Sequence, residues 1–328
     1  MNSVIVKEYL WAPDGFLITD SRLIELLNSR TIERLSGIGQ NGPFNHIASP
    51  SGKLSNVNRY MHSVGAMVLT LIVGGTVEEA IVALLHDIMH TAFSHAFDFV
   101  ANSSAVSYHE KHKNRLLEQF KNELSCILGN DWRKFLNEEN WPLIKKNNPF
   151  AIDIADYIVR DSVAVDLCNI DDARKMVKNL EVTEIDCIRQ LICKDIKTSE
   201  WWSDLSEKVN RLYYISPWNV AMNHYLANSL KEAIDVGKLT LEELETANNK
   251  NIEKDALDIV FEMKSGRILK NVTNYEWDFF EENRELGSCW KYVGSFDIRN
   301  RIVRPPIKDI PYTSIDTVIK RYKLAYIE

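Results

Sequence analysis

The sequence predicts a mainly α-helical protein: a helical bundle with a small N-terminal hairpin and a C-terminal α+β appendage. Three observations support this fold class. Leu, Ile and Ala are plentiful, whereas Gly and Pro number only 13 and 9 among 328 residues, a balance that favours helix. Apolar residues recur at helical spacing in several segments. Extended, β-favouring sequence is found mainly near the two ends of the chain.

The N-terminal region predicts a hairpin, a helix and a loop. β-favouring residues flank the turn Pro13-Asp14-Gly15, so we expect a hairpin or an extended strap over Val4–Ile18. Apolar residues at helical spacing predict a helix over Ser21–Leu35. The segment Asn41–Asn58 is rich in Gly, Pro, Ser and Asn, a composition that is typical of a loop.

Two further helices are predicted to follow this loop. The first covers Arg59–Val73 and ends at Gly74-Gly75. Thr76 and Glu79 form a capping box that begins the second. We expect this second helix to carry the adjacent pair His86-Asp87.

The rest of the chain predicts more helix and then a change of character. Asn148-Pro149 offers an N-cap and a first-turn proline for a helix that contains Asp153. Thr198–Ile234 is helical in pattern, and its aromatic residues suit core packing. After Gly237 the sequence becomes more polar and ends in extended, proline-containing segments. We place the domain boundary near 240, which divides the chain into 1–240 and 241–328.

The composition excludes several classes of protein. The formal net charge is −7, so no overall basic field attracts nucleic acid. The five cysteines form no C-x-x-C motif, as is typical of reduced cytosolic thiols. The N-terminus has no signal-peptide pattern, and the longest apolar run, Gly65–Gly75, is about half of the ~20 residues that a membrane span needs. We therefore expect a soluble, cytoplasmic protein with no membrane partner.

Polar side chains interrupt the otherwise apolar residues 83–98. They are His86, Asp87, His90, His95 and Asp98. Such groups are rarely buried without a partner. A hydrolytic metal ion needs a few His and carboxylate ligands and open positions for water and substrate. His62 and Asp153 are two further candidates for such a set.

The predicted helix around Asp153 would present one polar stripe toward a cleft. Its members follow at helical spacing and are Asp153, Tyr157, Arg160 and Asp161. The opposite side is apolar and suits the core.

The order H…HD…D resembles the HD-domain metal-dependent phosphohydrolases, and the flanking motifs resemble their deoxynucleoside triphosphate triphosphohydrolase (dGTPase-like) branch. The matching segments read WAPDG, IERLSGIGQNG, NRYMHSVG, HDIMHTAFSHAFD and DIADYIVRD, and they cover about residues 4–165, with the core motifs in 30–165. The resemblance implies one divalent metal ion, which could be Mn, Fe, Mg, Co, Ni or Zn. Its implied ligands are His62, His86, Asp87 and Asp153.

The resemblance also implies roles for neighbouring residues. His95 would be the catalytic general acid and Asp98 would orient it, while Asp87 would serve catalysis as well as metal binding. The residues implied to contact the substrate are Arg59, His90 and His109 at the phosphates and Gln40, Asn41, Tyr157 and Asp161 at the sugar.

Several positions depart from the pattern of that branch, and three of them concern substrate binding. Ile154 stands where the resemblance implies a phosphate-contacting Lys, and Asn219 is the nearest position to a missing phosphate-binding Arg. Asn41 replaces a Leu that would pack under the sugar and exclude a 2'-OH. Metal-dependent hydrolysis is compatible with all three changes, but preference for triphosphates or for deoxyribose does not follow from the sequence.

We therefore expect a metal-dependent phosphohydrolase of nucleotides, similar to the dNTP triphosphohydrolases and releasing nucleoside and tripolyphosphate. Three alternatives stay open: a phosphatase of nucleoside monophosphates or other small phosphoesters, a phosphodiesterase in which His90, His95 and His109 hold a second metal, and a nucleotide-sensing or nucleic-acid-binding HD module. The basic residues of Lys291–Lys323 favour the last one weakly, because a charge run is usually a solvated face. We also expect a homo-oligomer, a dimer or larger.

Overall fold

The structure, a computed structural model, describes residues 3–101, 107–144, 148, 150–307 and 314–327. Its helices are α1 (Ser21–Leu27), α2 (Arg30–Glu33), α3 (Arg59–Ile72), α4 (Val77–Leu85), α5 (Ala96–Val100), α6 (Tyr108–Lys111), α7 (Lys113–Leu117), α8 (Lys121–Leu128), α9 (Ile152–Ala164), α10 (Ile170–Val177), α11 (Ile196–Val209), α12 (Pro217–Asp235), α13 (Leu241–Thr246), α14 (Ile252–Val260) and α15 (Lys264–Lys270). Its strands are β1 (Val4–Glu8), β2 (Ala12–Ile18), β3 (Leu180–Ile185), β4 (Ile188–Cys193), β5 (Glu276–Glu281), β6 (Lys291–Arg304) and β7 (Ser314–Ile327). Helices dominate, which confirms the mainly α fold class.

Helix α3 lies at the centre of the fold and packs against α4 and α9. The Asn58 side chain begins α3 by accepting a hydrogen bond from the Met61 amide at 2.9 Å. The predicted capping box of Thr76 and Glu79 is present at the start of α4. Because α3 and α4 are buried over most of their lengths, their packing is driven mainly by the removal of apolar surface from water.

The strands form three small antiparallel sheets. β1 and β2 make the predicted N-terminal hairpin, but its turn lies at residues 9–11, and the predicted turn Pro13-Asp14-Gly15 lies within β2. β3 and β4 make a second hairpin that the sequence did not predict. β5, β7 and β6 form a three-stranded sheet in that order. In the C-terminal part of the chain, β6 packs against α11, and α14 and α15 pack against α12. The division near residue 240 and the separate appendage stay predictions.

A buried charge network joins the N-terminal hairpin to α3 and α9. Arg160 donates to Asp156 through Nε and Nη2, each at 2.7 Å, and to Glu8 at 2.8 Å. The Trp11 indole donates to Asp156 at 2.6 Å. Burial by itself raises the pKa of Asp156, but the Arg160 guanidinium outweighs it and holds the pKa below its usual value. The pair is therefore ionised at neutral pH, and its strength depends on all the partners being present.

Two predicted helices end earlier than the sequence pattern indicated. The segment Ser21–Leu35 divides at Asn28, because Ser29 caps a second helix by accepting from the Ile32 amide. The third predicted helix, α4, ends at Leu85, so His86-Asp87 follows the helix rather than lying on it. The backbone then continues as turns to His95.

Three other expectations also need correction. Helix α9 begins at Ile152 with Ala151 as its N-cap residue, so Asn148 does not cap it, and Pro149 lies outside the described residues. The helix predicted over Thr198–Ile234 is interrupted before Pro217 by a π-helical turn. Arg160 is not part of the polar stripe that was predicted to face a cleft, because its buried side chain pairs with Asp156 and Glu8.

No helix among the described residues is both long and apolar enough to span a lipid bilayer. All five cysteines are free thiols.

A substitution at Gly65 of α3 tests how tightly the buried charge network is packed. A Cβ at this position would overlap the Arg160 guanidinium and lie 2.6 Å from Asp156 Oδ1. Glycine to alanine in a helix interior normally stabilises by about 0.5–1 kcal/mol, but overpacking costs about 1–3 kcal/mol. We expect Gly65→Ala to lower the free energy of unfolding, measured by urea titration. Gly287→Ala, whose Cβ would meet nothing closer than 3.8 Å, is the control. An unchanged or higher stability of Gly65→Ala would contradict the prediction.

Candidate metal centre

Three of the four predicted ligands converge on one point. His62 lies in the first turn of α3, and His86 and Asp87 come directly after α4, which packs against α3. One ligand atom from each lies within 4.8 Å of the other two. The two imidazole Nε2 atoms are 3.1 Å apart, and the Asp87 oxygens lie 3.8 Å from His62 Nε2 and 3.5 Å from His86 Nε2. Ligand bonds of about 2.0–2.2 Å produce separations in this range.

The hydrogen bonds of the two imidazoles leave both Nε2 atoms available to a metal. Nδ1 of His62 lies 2.7 Å from Asp156 Oδ2, and Nδ1 of His86 lies 2.6 Å from the Ala83 carbonyl oxygen. Since these oxygens can only accept, each Nδ1 carries the proton. The two Nε2 atoms face each other 3.1 Å apart, an arrangement that a cation between them would satisfy. A carboxylate behind a metal-binding imidazole is a common arrangement that fixes the ring.

Asp153, in the first turn of α9, lines the same cavity as these three residues. Its Oδ1 atom is buried and has no hydrogen-bond partner. Burial raises the pKa of Asp153, while His86 and His62 oppose that effect. Burial lowers the pKa of His86, but the Asp87 and Asp153 carboxylates outweigh it and raise that pKa. Asp153 lies outside the group of three whose ligand atoms approach within 4.8 Å. An orphaned carboxylate oxygen in the same cavity as two imidazoles and a second carboxylate nevertheless fits a divalent cation.

Two residues predicted to contact phosphate lie against Asp87. Nη1 of Arg59 is 2.6 Å from Asp87 Oδ2, and its Nε donates to Ser94 Oγ at 3.0 Å. His90 Nε2 lies 3.2 Å from Asp87 Oδ1. Burial raises the pKa of Asp87, but Arg59, His86 and His90 hold it well below its usual value. Burial and Arg59 lower the pKa of His90, so its imidazole is neutral at pH 7.

The structure brings together the histidine and the carboxylate predicted for proton transfer. His95 Nδ1 lies 3.2 Å from Asp98 Oδ2, and the other oxygen of Asp98 accepts from the Tyr108 amide at 2.6 Å. The His95 side chain is 66% exposed and lines the cavity. Asp98 is thus held in place by the backbone, and Nε2 of His95 is the atom left for the substrate.

His109 completes a cluster of three imidazoles with His90 and His95. The ring centres are 4.2 Å apart for His90–His109, 5.2 Å for His90–His95 and 6.0 Å for His95–His109. Burial and His95 lower the pKa of His109 to about 4. Within the described ranges, His62, His86 and Asp87 form the only group whose ligand atoms all approach one another closely enough for one metal ion.

The residues predicted to hold the sugar line another part of the cavity. Asn41 Nδ2 donates to Asp161 Oδ1 at 3.1 Å and to Ser55 Oγ at 2.9 Å. The Tyr214 hydroxyl donates to Asp161 Oδ2 at 2.7 Å. Gln40 Oε1 is buried without a partner, and Tyr157 also faces the cavity. Both amide protons of Asn41 are used, so its carbonyl oxygen is the free group.

Sequence reasoning missed several residues of this cavity, whose volume is about 1090 Å³. Asp156 does not itself line the cavity, but it holds His62, and the sequence analysis assigned it no role at the site. The repeated Asp spacing in DIADYIVRD was a signal that could have found it. No local signal indicates Tyr214, which is 53 residues from its partner. Arg299 and Arg301 of β6 line the cavity as well, whereas the sequence pattern indicated only a weak role for them in nucleic-acid binding.

Three known proteins resemble this chain. The metal-dependent phosphohydrolase cns2 of Cordyceps militaris is 29% identical over 242 residues, 73% of this chain and 68% of that protein. The crystal structure of a phosphohydrolase from Bacteroides thetaiotaomicron has the same fold, with a TM-score of 0.67 at 17% identity over 99% of both chains. The uncharacterized protein YdhJ of Bacillus subtilis is 30% identical over 260 residues, 78% of this chain and 75% of its own. The chain belongs to the same family as YdhJ, and its similarity to cns2 supports a metal-dependent phosphohydrolase.

This membership agrees with the class expected from the sequence, a metal-dependent phosphohydrolase. The dNTP triphosphohydrolase branch stays a prediction. No protein-family model matches the chain.

Asp87 tests the metal centre directly. We expect Asp87→Ala to lose bound metal and all turnover, and the isosteric Asp87→Asn to bind metal at least ~10–100-fold more weakly, because a charged ligand is removed. Metal content by mass spectrometry and Mn²⁺ titration by calorimetry measure both effects. Asp98→Ala, in the same cavity but away from the three ligand atoms, should keep its metal. Full metal content in Asp87→Asn would argue against the site.

Proposed function

We propose that this chain hydrolyses nucleotides at one divalent-metal centre, as a dNTP triphosphohydrolase that releases nucleoside and tripolyphosphate. The observation that carries the proposal is the convergence of His62, His86 and Asp87 in a cavity that also holds hydroxyl-binding groups. A cavity of about 1090 Å³ is slightly larger than the usual range for small-molecule sites, about 300–1,000 Å³. It accommodates a whole nucleotide rather than a small phosphoester alone.

The protein residues have separate tasks in this proposal. Asp153 would join the three converging ligands as the fourth. When bound, a divalent ion supplies Lewis-acid polarisation of a phosphoryl oxygen and an activated water. Asp156 holds the His62 ring so that Nε2 faces the centre, and Arg59 fixes the Asp87 carboxylate.

His95 would donate a proton to the leaving oxygen. Its Nδ1 proton is bound by Asp98, so Nε2 is the donating atom. The carboxylate stabilises the imidazolium before transfer and keeps the ring oriented afterwards. The exposure of His95 toward the cavity supports contact with the substrate.

The sugar would lie beside Asn41 and Asp161. Asp161 accepts from Asn41 and from Tyr214, so it is fixed before a ligand arrives and can accept further hydrogen bonds. Gln40 Oε1 is a buried acceptor without a partner, which a ribose hydroxyl would satisfy.

A second candidate is a phosphatase of nucleoside monophosphates. It is favoured by Ile154 and Asn219, which both line the cavity and carry no charge. A screen of nucleotides with Mg, Mn, Fe, Co, Ni and Zn separates the two candidates, provided that tripolyphosphate is resolved from orthophosphate. Tripolyphosphate as the product supports the first candidate, and orthophosphate from monophosphates supports the second. Failure to hydrolyse any nucleotide with any of these metals would reject both.

His95 should affect turnover much more than metal binding. General acid catalysis typically contributes about 10²–10⁴-fold, so we expect His95→Ala to lose kcat by that factor while its metal content stays that of the parent. His112→Ala, a histidine that stacks on Tyr108 outside the cavity wall, controls for the loss of an imidazole. Unchanged turnover in His95→Ala would remove the residue from the mechanism.

Asn41 should weaken discrimination against ribonucleotides. Its free carbonyl oxygen can accept from a 2'-OH, so we expect the parent to accept matched ribo- and deoxynucleotides within ~10-fold, and Asn41→Leu to favour deoxynucleotides by ~100-fold, about 2.7 kcal/mol. The ratio of kcat/KM values measures this. Asn228→Leu makes the same change elsewhere on the cavity wall. If the parent already rejects ribonucleotides 100-fold, Asn41 does not select the sugar.

A further inference from the structure

The cavity around the metal centre contains more carboxylates than cations. The carboxylates are Asp87, Asp98, Glu110, Glu138, Asp153 and Asp161. The lysines and arginines are Arg59, Lys231, Arg299 and Arg301. A nucleotide is strongly anionic, so its phosphates need cations that are not already neutralised by the protein.

Arg299 and Arg301 meet that need. Arg59 is bound to Asp87 and Ser94, and Lys231 has an interaction of its own. The side chains of Arg299 and Arg301 make no hydrogen bond or ion pair with any other described residue, and both residues are exposed at the cavity. In the described part of the chain, they are the cavity-lining cations whose guanidinium groups are free.

The two guanidinium groups are presented by a well-anchored strand. Positions 299 and 301 of β6 are two residues apart, so their side chains leave the same face. Asn300, between them, accepts from Asn210 at 2.5 Å, and the Val303 amide donates to Ser206 at 3.2 Å. These contacts fix β6 against the end of α11 and the turn that follows it.

Arg301 also lines the same cavity as Tyr157 and the metal ligands. It lies near the Tyr157 hydroxyl, where its charge opposes the burial that raises the pKa of Tyr157 to about 12. Tyr157 is four residues after Asp153 on α9, which is about 6 Å along the helix axis. Arg301, Tyr157 and the three converging ligands line one cavity, so a polyphosphate chain held at the metal centre has a path toward Arg301.

We propose that Arg299 and Arg301 bind the phosphoryl groups next to the one held at the metal centre, so that this chain selects nucleoside di- and triphosphates over monophosphates. The planar guanidinium suits bidentate contact with phosphate oxygens. The proposal rests on the proposed function, because it extends the same cavity to the rest of the substrate. The two arginines would also supply the positive charge that the uncharged residues Ile154 and Asn219 do not provide.

The test compares two double variants that remove the same charge. Arg299→Ser with Arg301→Ser removes the free pair, whereas Lys320→Ser with Arg321→Ser removes two exposed cations from β7, the strand paired with β6. Calorimetry on the metal-loaded protein measures Kd for inorganic tripolyphosphate and for orthophosphate. We expect the first variant to weaken tripolyphosphate binding by roughly 10–100-fold and to change orthophosphate binding by less than ~3-fold. The second variant should match the parent for both ions.

The kinetic comparison follows the same design. In the first variant, kcat/KM for a nucleoside triphosphate should fall by the same factor as the affinity for tripolyphosphate, and kcat/KM for the monophosphate should hold. Equal losses in both double variants would mean that the affinity depends on the overall positive charge of the sheet and not on these two arginines. That result would overturn the proposal. Equal losses for orthophosphate and tripolyphosphate would overturn it too, as would no loss for either.

Failure of the proposed function gives a different pattern. If no nucleotide is hydrolysed but tripolyphosphate binding still depends on Arg299 and Arg301, hydrolysis is rejected and the arginine assignment stands. If nucleotides are hydrolysed and the first variant behaves as the parent in binding and kinetics, the arginine assignment alone is rejected. Circular dichroism of each variant confirms that the β6–β7 sheet is intact.

Discussion

The buried Asp156 carboxylate is the constraint on which the metal centre depends. It accepts hydrogen bonds from Trp11 of the N-terminal hairpin, from His62 of α3 and from Arg160 of its own helix. Removing one partner of a buried ion pair leaves an uncompensated charge, which typically costs about 3–5 kcal/mol. The hairpin, α3 and α9 must therefore assemble together. The same assembly places the proton of His62 on Nδ1, so the stability of the fold and the ability to bind a metal have a common origin.

A second buried carboxylate, Glu253 of α14, holds the loops around the cavity. It accepts from the Gly39 amide at 3.1 Å, from the Phe93 amide at 2.5 Å and from His46 at 2.7 Å. Phe93 and Ser94 have φ values of +60° and +52°, a conformation that costs a non-glycine residue about 1–2 kcal/mol. The Glu253 contact helps to offset that cost. A residue beyond position 240 thus shapes the segment that carries His90 and His95.

Much of the centre of this molecule could be predicted from local sequence. Apolar periodicity and capping residues indicated α3 and α4, because these signals report which face of a helix is buried and where the helix begins. β-favouring residues indicated the N-terminal hairpin. The order of His62, His86-Asp87 and Asp153 indicated a metal centre through its resemblance to a known family. The same signals failed after Leu85, where the apolar pattern continues although the backbone leaves the helix. Apolar periodicity cannot distinguish a helix from a buried loop whose amides are satisfied by a distant carboxylate.

What the sequence determined by itself is therefore the type of fold and the set of candidate ligands. Only the tertiary structure decided which distant polar groups meet: Asp161 with Tyr214, Phe93 with Glu253, and the free guanidinium groups of Arg299 and Arg301 with the cavity. The physical reason is that periodicity and capping act over a few residues, within one element. A contact between polar groups 53 or 160 positions apart is set by how the elements pack, and no spacing along the chain encodes it.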